Sequence, residues 1–594
     1  MKNLNRINLS EQTIFQNLPY LVLFVFLVIY FGLFNDYVLF FQEKTSLFVF
    51  SRDFLFEHLD KPGGLLIYSG KFFSTFFYIP VLGAVIVSLF ITMILIFLSK
   101  IIFFLTGRRS TILPFFAGIV IFYLQSDYRF FFFNIIGLFL PLISFYLIIK
   151  FSDLSKSRIV FIVIPLIYYL TGCFVGILLL LLTSYFTLNF NKKGFIRIAI
   201  LLILSFIMVY ISNEYIFFQT LETLLLYPFS DENTGSLTIL FLVIAGIISL
   251  LPLIVRIRIL IPGRFHFSGT LFSYVKYALI LIVFVLIGIV RFDKDYKQYF
   301  FVEKLYYQGK FNEIINYNLK NPTSNSLTIF LNNLALCECN KLNDLLFNFR
   351  QDPDGNTLFL KWKMDQEILR RGAYFYYTIG MINEAHRWVY ENMVMEGYTP
   401  EGLRMLIKTE ILNRNFEVAD KYISILNKTL FYRKEAGELK KLLFNDEAVT
   451  THPELGPKRR LMVKSDFIII TDYPAINLDR ILMRDSMNIR AFEYKIAFLL
   501  LKKDSKGIAD RLPEFELRGF SKLPVNVEEA VVAYSVLKKR SAQYFRNINI
   551  NKNTEKRFLD FLTLYKKFNS DPVLSEPALR EKFGNTFWYY SFYR

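Results

Sequence analysis

The sequence predicts an all-α protein in two parts, a polytopic transmembrane helical bundle of about nine spans followed by a helical-repeat solenoid. Three observations predict it. The chain is too apolar for an ordinary soluble protein, with 54% hydrophobic residues and a mean hydropathy of +0.38 over 594 residues. The charge is uneven: residues 1–291 hold 21 Lys and Arg and 12 Asp and Glu, whereas residues 292–594 hold 47 and 38. Past that break, a helix–turn–helix pattern recurs with a spacing of 34 residues between Ala385 and Ala419. The expected boundaries are a membrane domain over 1–291, repeats over 292–430, a loop-rich connection over 431–485 and a helical region over 486–594.

Each span rests on length. A hydrocarbon core about 30 Å thick needs roughly 20 apolar residues of helix. Apolar stretches lie near 18–35, 79–99, 112–125, 130–149, 159–171, 173–190, 195–212, 236–255 and 271–290. Lys2 and Arg6 precede the first, but no small-residue cleavage site follows Leu33, so it reads as an uncleaved span. Residues 159–190 divide at Thr171-Gly172, because one helix of about 32 residues would run to about 48 Å. Orientation follows the short loops. With the N-terminus cytoplasmic, the inner segments hold Lys2, Arg6, Lys100, Arg108, Arg109, Lys150, Lys156, Arg158, Lys192, Lys193, Arg197, Arg256, Arg258 and Arg264. The outer loops hold only Lys44, Arg52, Lys61, Lys71 and Arg129, and loop 213–235 carries Asp231 and Glu232 with no basic residue. Fusing 159–190 into one span would reverse this bias. Nine crossings place the C-terminal half outside the cytoplasm of a plasma-membrane protein. The net charge of +18 follows in part from this topology and does not point to nucleic acid; no nucleic-acid-binding motif is present.

In the second half, Gln308-Gly309-Lys310-Phe311, Ile379-Gly380-Met381-Ile382 and Asn413-Arg414-Asn415-Phe416 repeat one pattern, with a weaker copy at Cys339-Asn340-Lys341-Leu342. The turn needs a residue that tolerates left-handed geometry, which suggests Gly309, Gly380 and Asn415. The small Ala385 and Ala419 allow close helix packing. The 34-residue period resembles the tetratricopeptide repeat over about 297–430, which implies a surface that holds a protein partner.

Chemistry-bearing residues are sparse. His58, His266, His386 and His452 lack metal-ligand spacing, so no metal site is expected. Cys337 and Cys339 point to different sides of a helix and read as packing. No phosphate loop, nucleophile elbow or zinc-protease helix is present. Lys458-Arg459-Arg460 reads as a solvated loop. The outer loop 36–78 is the richest segment: Ser46–Leu59 and Gly64–Tyr78 are amphipathic and aromatic, as interfacial helices are.

This layout resembles the C superfamily of membrane glycosyltransferases, in which an acidic residue just past the first span works near a polyprenyl-phosphate-linked sugar. The resemblance implies catalytic roles for Asp36 and Asp127, either as a general base or beside a divalent cation, and phosphate-binding roles for Arg52, Lys61 and Arg129. The paired-acid signature of that superfamily is missing, since Asn35 and Tyr37 flank Asp36. Gln42-Glu43, Pro62-Gly63-Gly64 and Thr586-Phe587-Trp588-Tyr589-Tyr590 resemble a family of uncharacterised bacterial multi-pass membrane proteins with a C-terminal tetratricopeptide-like domain, which supplies no activity. Two functions therefore stand: transfer of a sugar or similar group from a lipid carrier at the outer face, and a non-enzymatic scaffold that recruits cell-envelope proteins through its repeats. A transporter ranks below both, because intramembrane charge is nearly absent.

Overall fold

A computed structural model describes residues 17–108, 112–151, 160–188, 192–229, 235–260, 270–362, 366–465, 467–470, 472–538 and 550–594. Lys2, Arg6, Arg109, Lys156, Arg158, Asp231, Glu232, Arg264 and His266 lie outside them. Among the described residues every regular element is helical. Contacts divide the chain into one unit of Met1–Asp293 with Lys428–Phe431, and a second of Lys294–Asn427 with Tyr432–Arg594.

The first unit contains α1 (Asn17–Phe34), α2 (Asp36–Lys44), α3 (Arg52–Glu57), α4 (Gly64–Thr75), α5 (Pro80–Thr106), α6 (Ile112–Gln125), α7 (Phe133–Phe151), α8 (Val160–Thr171), α9 (Val175–Thr187), α10 (Lys192–Ile211), α11 (Leu221–Leu226), α12 (Ser236–Ser249), α13 (Leu251–Leu260) and α14 (Thr270–Arg291). Pro80 occupies the first turn of α5, where its missing N–H costs nothing, and left-handed Gly107 (φ 68°) ends the helix. Leu27, Phe31, Val87, Ile91, Leu95, Leu142 and Phe145 are buried in a shared core. Aromatic rings fill the gaps: Phe90 meets Phe132 and Phe139, and Tyr30 meets Phe122. On α10, Leu202, Ile203 and Phe206 are 59–75% exposed. Apolar faces of that extent suit a lipid environment rather than water.

Among the described residues, five helical runs are candidate membrane spans by length and apolarity: Asn17–Phe34, Pro80–Thr106, Phe133–Phe151, Val160–Thr187 and Lys192–Phe217. The bent pair Val275–Arg291 and Lys294–Tyr307 brings the number to six. The nine expected from sequence differ for two physical reasons. Ile112–Gln125 and Ser236–Ser249 are helices of 14 residues each, about 21 Å long and below the usual length of a single span, the second continued after one residue by α13. Val160–Thr187 counts as one run, although Gly172 (φ 59°) interrupts it. A Cβ on Gly172 would lie 2.5 Å from the Tyr227 carbonyl oxygen and 2.7 Å from that of Pro62, so only glycine fits.

In the second unit, α15 (Lys294–Tyr307) to α16 (Phe311–Lys320), α17 (Ser326–Glu338) to α18 (Leu342–Leu345), α19 (Gln366–Thr378) to α20 (Ile382–Glu396) and α21 (Pro400–Leu412) to α22 (Phe416–Asn427) are helix–turn–helix pairs. After α23 (Arg433–Lys440), α24 (Asp446–Thr451), α25 (Leu455–Leu461) and α26 (Pro474–Arg484), another pair follows as α27 (Ile489–Leu501) and α28 (Ser505–Asp510). The five turns share one device. Gly309, Asn340, Gly380, Arg414 and Lys503 are left-handed. The next residue's N–H reaches back to a carbonyl five positions earlier: Lys310 to Leu305, Lys341 to Leu336, Met381 to Tyr376, Asn415 to Glu410 and Asp504 to Leu499. That is a Schellman end. The fourth turn departs from expectation, because Arg414 rather than Asn415 takes the left-handed position. The end of α21 fixes the register and overrides the local preference of asparagine.

Ala385 and Ala419 are fully buried. Gly372 faces Trp388, whose ring would stand 2.0 Å from an added Cβ, so α19 and α20 approach closely there. Segment 431–485, expected to be loop-rich, carries α23 to α26. Lys458, expected in solvated loop, is 5% exposed in α25 and pairs with Glu338 at 2.5 Å. After α29 (Leu512–Leu517), the chain closes with α30 (Val525–Lys538), α31 (Lys552–Lys567), α32 (Pro572–Phe583) and α33 (Phe587–Tyr593). Phe587 to Tyr590 are buried, and the Phe587 N–H and Trp588 indole N–H donate to Glu529 at 2.8 and 2.7 Å.

Candidate functional site

The loop between α6 and α7 brings two of the five candidate residues together, Asp127 and Arg129, and uncharged side chains hold it. At the end of α1, the Asn35 amide donates to the Ser126 carbonyl at 3.1 Å. On α2, Gln42 is fully buried; its amide donates to the Phe130 carbonyl at 2.8 Å and accepts the Phe132 N–H at 3.2 Å. These bonds satisfy backbone groups of an otherwise irregular, buried segment.

Asp127 sits in that loop at 7% exposure. Its Oδ1 accepts the Arg129 backbone N–H and Nε–H, both at 3.0 Å, while Oδ2 takes Arg129 Nη2 at 3.0 Å. Arg291, in the last turn of α14, reaches the same Oδ2 at 2.7 Å and lies 4.5 Å from the Tyr123 ring centroid. Burial alone would raise the Asp127 pKa. The hydrogen bonds from Arg129 and Arg291 and the Arg129 charge outweigh burial and hold it below the usual carboxylate value. A carboxylate engaged by two guanidinium groups is a poor proton acceptor.

Asp36 is the first residue of α2 and is half-buried, next to Asn35. Arg52 opens α3 and is exposed. Lys61 lies 4.9 Å from the Tyr227 ring centroid. Asp127 and Arg129 therefore meet, while Arg52 and Lys61 belong to the surroundings of α3, α4 and α11. There, His58 is buried with Nδ1 2.8 Å from the Phe54 carbonyl, and its pKa is lowered by burial and then by the Lys71 charge. Burial likewise lowers that of Lys71. Sequence reasoning gave no site role to Arg291, Asn35, His58 or Lys71. Arg291 served only to mark the composition break, and nothing local to it announces a partner 164 positions away.

The second unit holds a separate buried network. Arg371 and Glu303 are fully buried and paired, and Arg371 also reaches Glu367 at 2.7 Å and donates to the Tyr299 hydroxyl at 2.9 Å. Lys408 and Tyr377 both meet Glu454, at 2.9 and 3.0 Å. These ties join α19 to α15, and both α19 and α21 to the start of α25. Cys337 is buried with its Sγ 3.4 Å from Glu493, and burial raises its pKa well above the ordinary thiol value. His386 lies 2.9 Å from Glu410. Among the described residues no group of three or more His, Cys, Asp and Glu could hold a metal ion.

Residues 11–594 match the model of a family of unknown function, DUF6057, so the chain belongs to that family. No curated protein and no solved structure matches it.

Proposed function

We propose that this DUF6057 member is a membrane-anchored scaffold that recruits cell-envelope proteins through its helix pairs. The observation that carries the reading is the engagement of Asp127 by Arg129 and Arg291. It makes the outer carboxylate a tie between the α6–α7 loop and the end of α14 rather than a base. Recognition then falls to the second unit. The shared left-handed turns support a tetratricopeptide-like reading of 292–430. On α20, Tyr390, Val394 and Met395 form an apolar patch 42–64% exposed, as docking faces are, and Tyr398, just past the helix, is 41% exposed beside them in sequence. A photo-crosslinker placed at Tyr390 or Val394 yields a discrete protein adduct in intact cells under this reading. No adduct there, or the same adduct from exposed Lys552, overturns it.

The proposed topology keeps nine crossings of a bacterial plasma membrane, a cytoplasmic N-terminus and the second unit outside. Two contacts support turning back at Gly172. Phe174 lies against Gly137 and the Tyr185 ring 6.3 Å from that of Phe145, so α9 runs alongside α7 in the same direction. A straight α8–α9 rod would start about 20 Å beyond Gly137, with Phe151 about 20 Å the other way; residues 152–159 span at most about 30 Å. A phosphatase fused after Phe300 is active in this topology, and a silent fusion there overturns it.

A second reading is transfer of a sugar from a polyprenyl-phosphate carrier. The helices α2 to α4, lying between the first two candidate spans with Asp36 at their start, favour it. It requires that Asp36→Asn abolish an envelope glycan without lowering protein abundance.

A further inference from the structure

A cavity of about 1220 Å³ lies within the second unit, between the turn before α17, the segment 347–353 and the C-terminal helices α32 and α33. It exceeds the range of roughly 300–1,000 Å³ typical of small-ligand pockets, so it has room for an extended ligand. The charge of its lining side chains is one-sided: Arg350, Arg580, Lys582 and Arg594 stand against one acidic side chain, that of Glu581.

Many other arginines of this unit are held in ion pairs. Arg370, Arg371, Arg404, Arg490 and Arg511 each engage a carboxylate. Among the ion pairs of the described residues, none involves Arg350, Arg580 or Lys582, and all three side chains are exposed. Unpaired cations converging on a concave wall focus a positive field into it and favour an anionic occupant. The wall beneath them is fixed. The Tyr589 hydroxyl donates to Glu576 at 2.6 Å, the Tyr593 and Ser575 hydroxyls lie 2.6 Å apart, and the Tyr590 hydroxyl donates to the Leu501 carbonyl at 3.1 Å. Tyr589 and Tyr593 stack at 5.0 Å, which leaves the partly exposed Tyr593 ring as a flat edge of the cavity.

We propose that this groove binds an acidic oligosaccharide, one whose sugar rings carry carboxylates or phosphates. The cations meet the acidic groups. The exposed amides of Asn348 and Asn585 meet hydroxyls, and the Tyr593 ring offers a flat apolar face to a sugar ring. An acidic peptide fits less well: it brings carboxylates to the cations but no row of hydroxyls to the Asn348 and Asn585 amides and no sugar face to the Tyr593 ring. The inference does not depend on the α20 patch and survives its failure.

The experiment is calorimetric titration of the full-length protein in detergent with oligogalacturonate, with neutral malto-oligosaccharide and polyglutamate as comparisons. Oligogalacturonate binds, malto-oligosaccharide does not, and raising the salt weakens binding, since the charges are solvent-accessible. Arg350→Ala with Arg580→Ala weakens binding by roughly tenfold or more, and Arg580→Glu does so alone, with the melting temperature unchanged because both side chains are exposed. Lys552→Ala with Lys556→Ala, a pair of exposed cations outside the groove, leaves binding intact. No oligogalacturonate binding, equal weakening by the Lys552 and Lys556 pair, or equal or tighter binding of polyglutamate overturns the proposal.

Discussion

Asp127→Asn tests the clamp most directly. Asparagine keeps an acceptor for the Arg129 backbone N–H but removes the charge opposite Arg291, which is only 19% exposed. Breaking a buried ion pair by removing one partner costs about 3–5 kcal/mol, because the survivor remains buried and uncompensated. Arg291 keeps partial access to water and the face of Tyr123, which argues for the lower end, about 3 kcal/mol. Arg129 is 64% exposed; its own side chain contributes less, about 0–1 kcal/mol, as exposed pairs do. The assay is equilibrium unfolding of the purified protein in detergent, run as a double-mutant cycle with Arg291→Gln. A coupling of about 2 kcal/mol is expected between Asp127 and Arg291. The sign of the pH dependence follows from the depressed pKa. Stability from the ionised carboxylate is present above its unfolded value of 3.8 and lost as pH falls through the lower folded value. The gap between parent and Asp127→Asn therefore stays constant near neutrality and closes in acid. Additive single effects, or Arg129→Ala costing as much as Asp127→Asn, would refute the reasoning.

Further outcomes follow from other sites. Gly172→Ala forces a Cβ to 2.5 Å from the Tyr227 carbonyl at φ 59°, whereas Gly176→Ala meets nothing within 4 Å; the first sharply lowers the monodisperse yield in size-exclusion chromatography and the second does not. Gly380→Ala and Gly309→Ala form a similar pair, since both positions are left-handed but only Gly380 would press on the Leu461 carbonyl, at 2.1 Å. Thermal unfolding should rank Gly380→Ala well below Gly309→Ala, which loses about 1–2 kcal/mol from left-handed strain. Glu529 is buried and pushed up to about 7, chiefly by burial against the opposing Phe587 N–H. Its folded value lies above the unfolded 4.5, so it makes the protein less stable as pH rises from about 4.5 to 7. Glu529→Gln therefore raises the free energy of unfolding at pH 8 by an amount of order 3 kcal/mol and changes little below about pH 5.

Local signals were readable in the sequence and partnerships were not. Each apolar stretch contains helix, because apolar length is a property of the stretch itself. Gly309 and Gly380 are left-handed because helix ends declare themselves over five or six residues. Arg414 shows the limit of that signal. Asparagine at 415 has the better intrinsic preference, yet the last turn of α21 decides which residue stands one place past the helix, and that register depends on packing.

The membrane half shows the same limit at longer range. Asp127 was conspicuous as an acid just past an apolar stretch, and its expected place at the outer surface made it resemble a catalytic group. What a carboxylate does depends on what faces it, and its second guanidinium arrives from the far end of α14. The clamp also needs the loop to be rigid before either arginine can close on it, and that rigidity comes from Asn35 and Gln42, two uncharged side chains that no charge or motif survey selects. A carboxylate on a loop fixed by neutral amides and closed by two arginines is arranged to hold elements together. The same acid, left open to solvent with one cation nearby, would have been arranged to react. Only the three-dimensional pairing separates the two, so replacing Asn35 or Gln42, which never touch Asp127, should weaken the clamp as surely as removing Arg291.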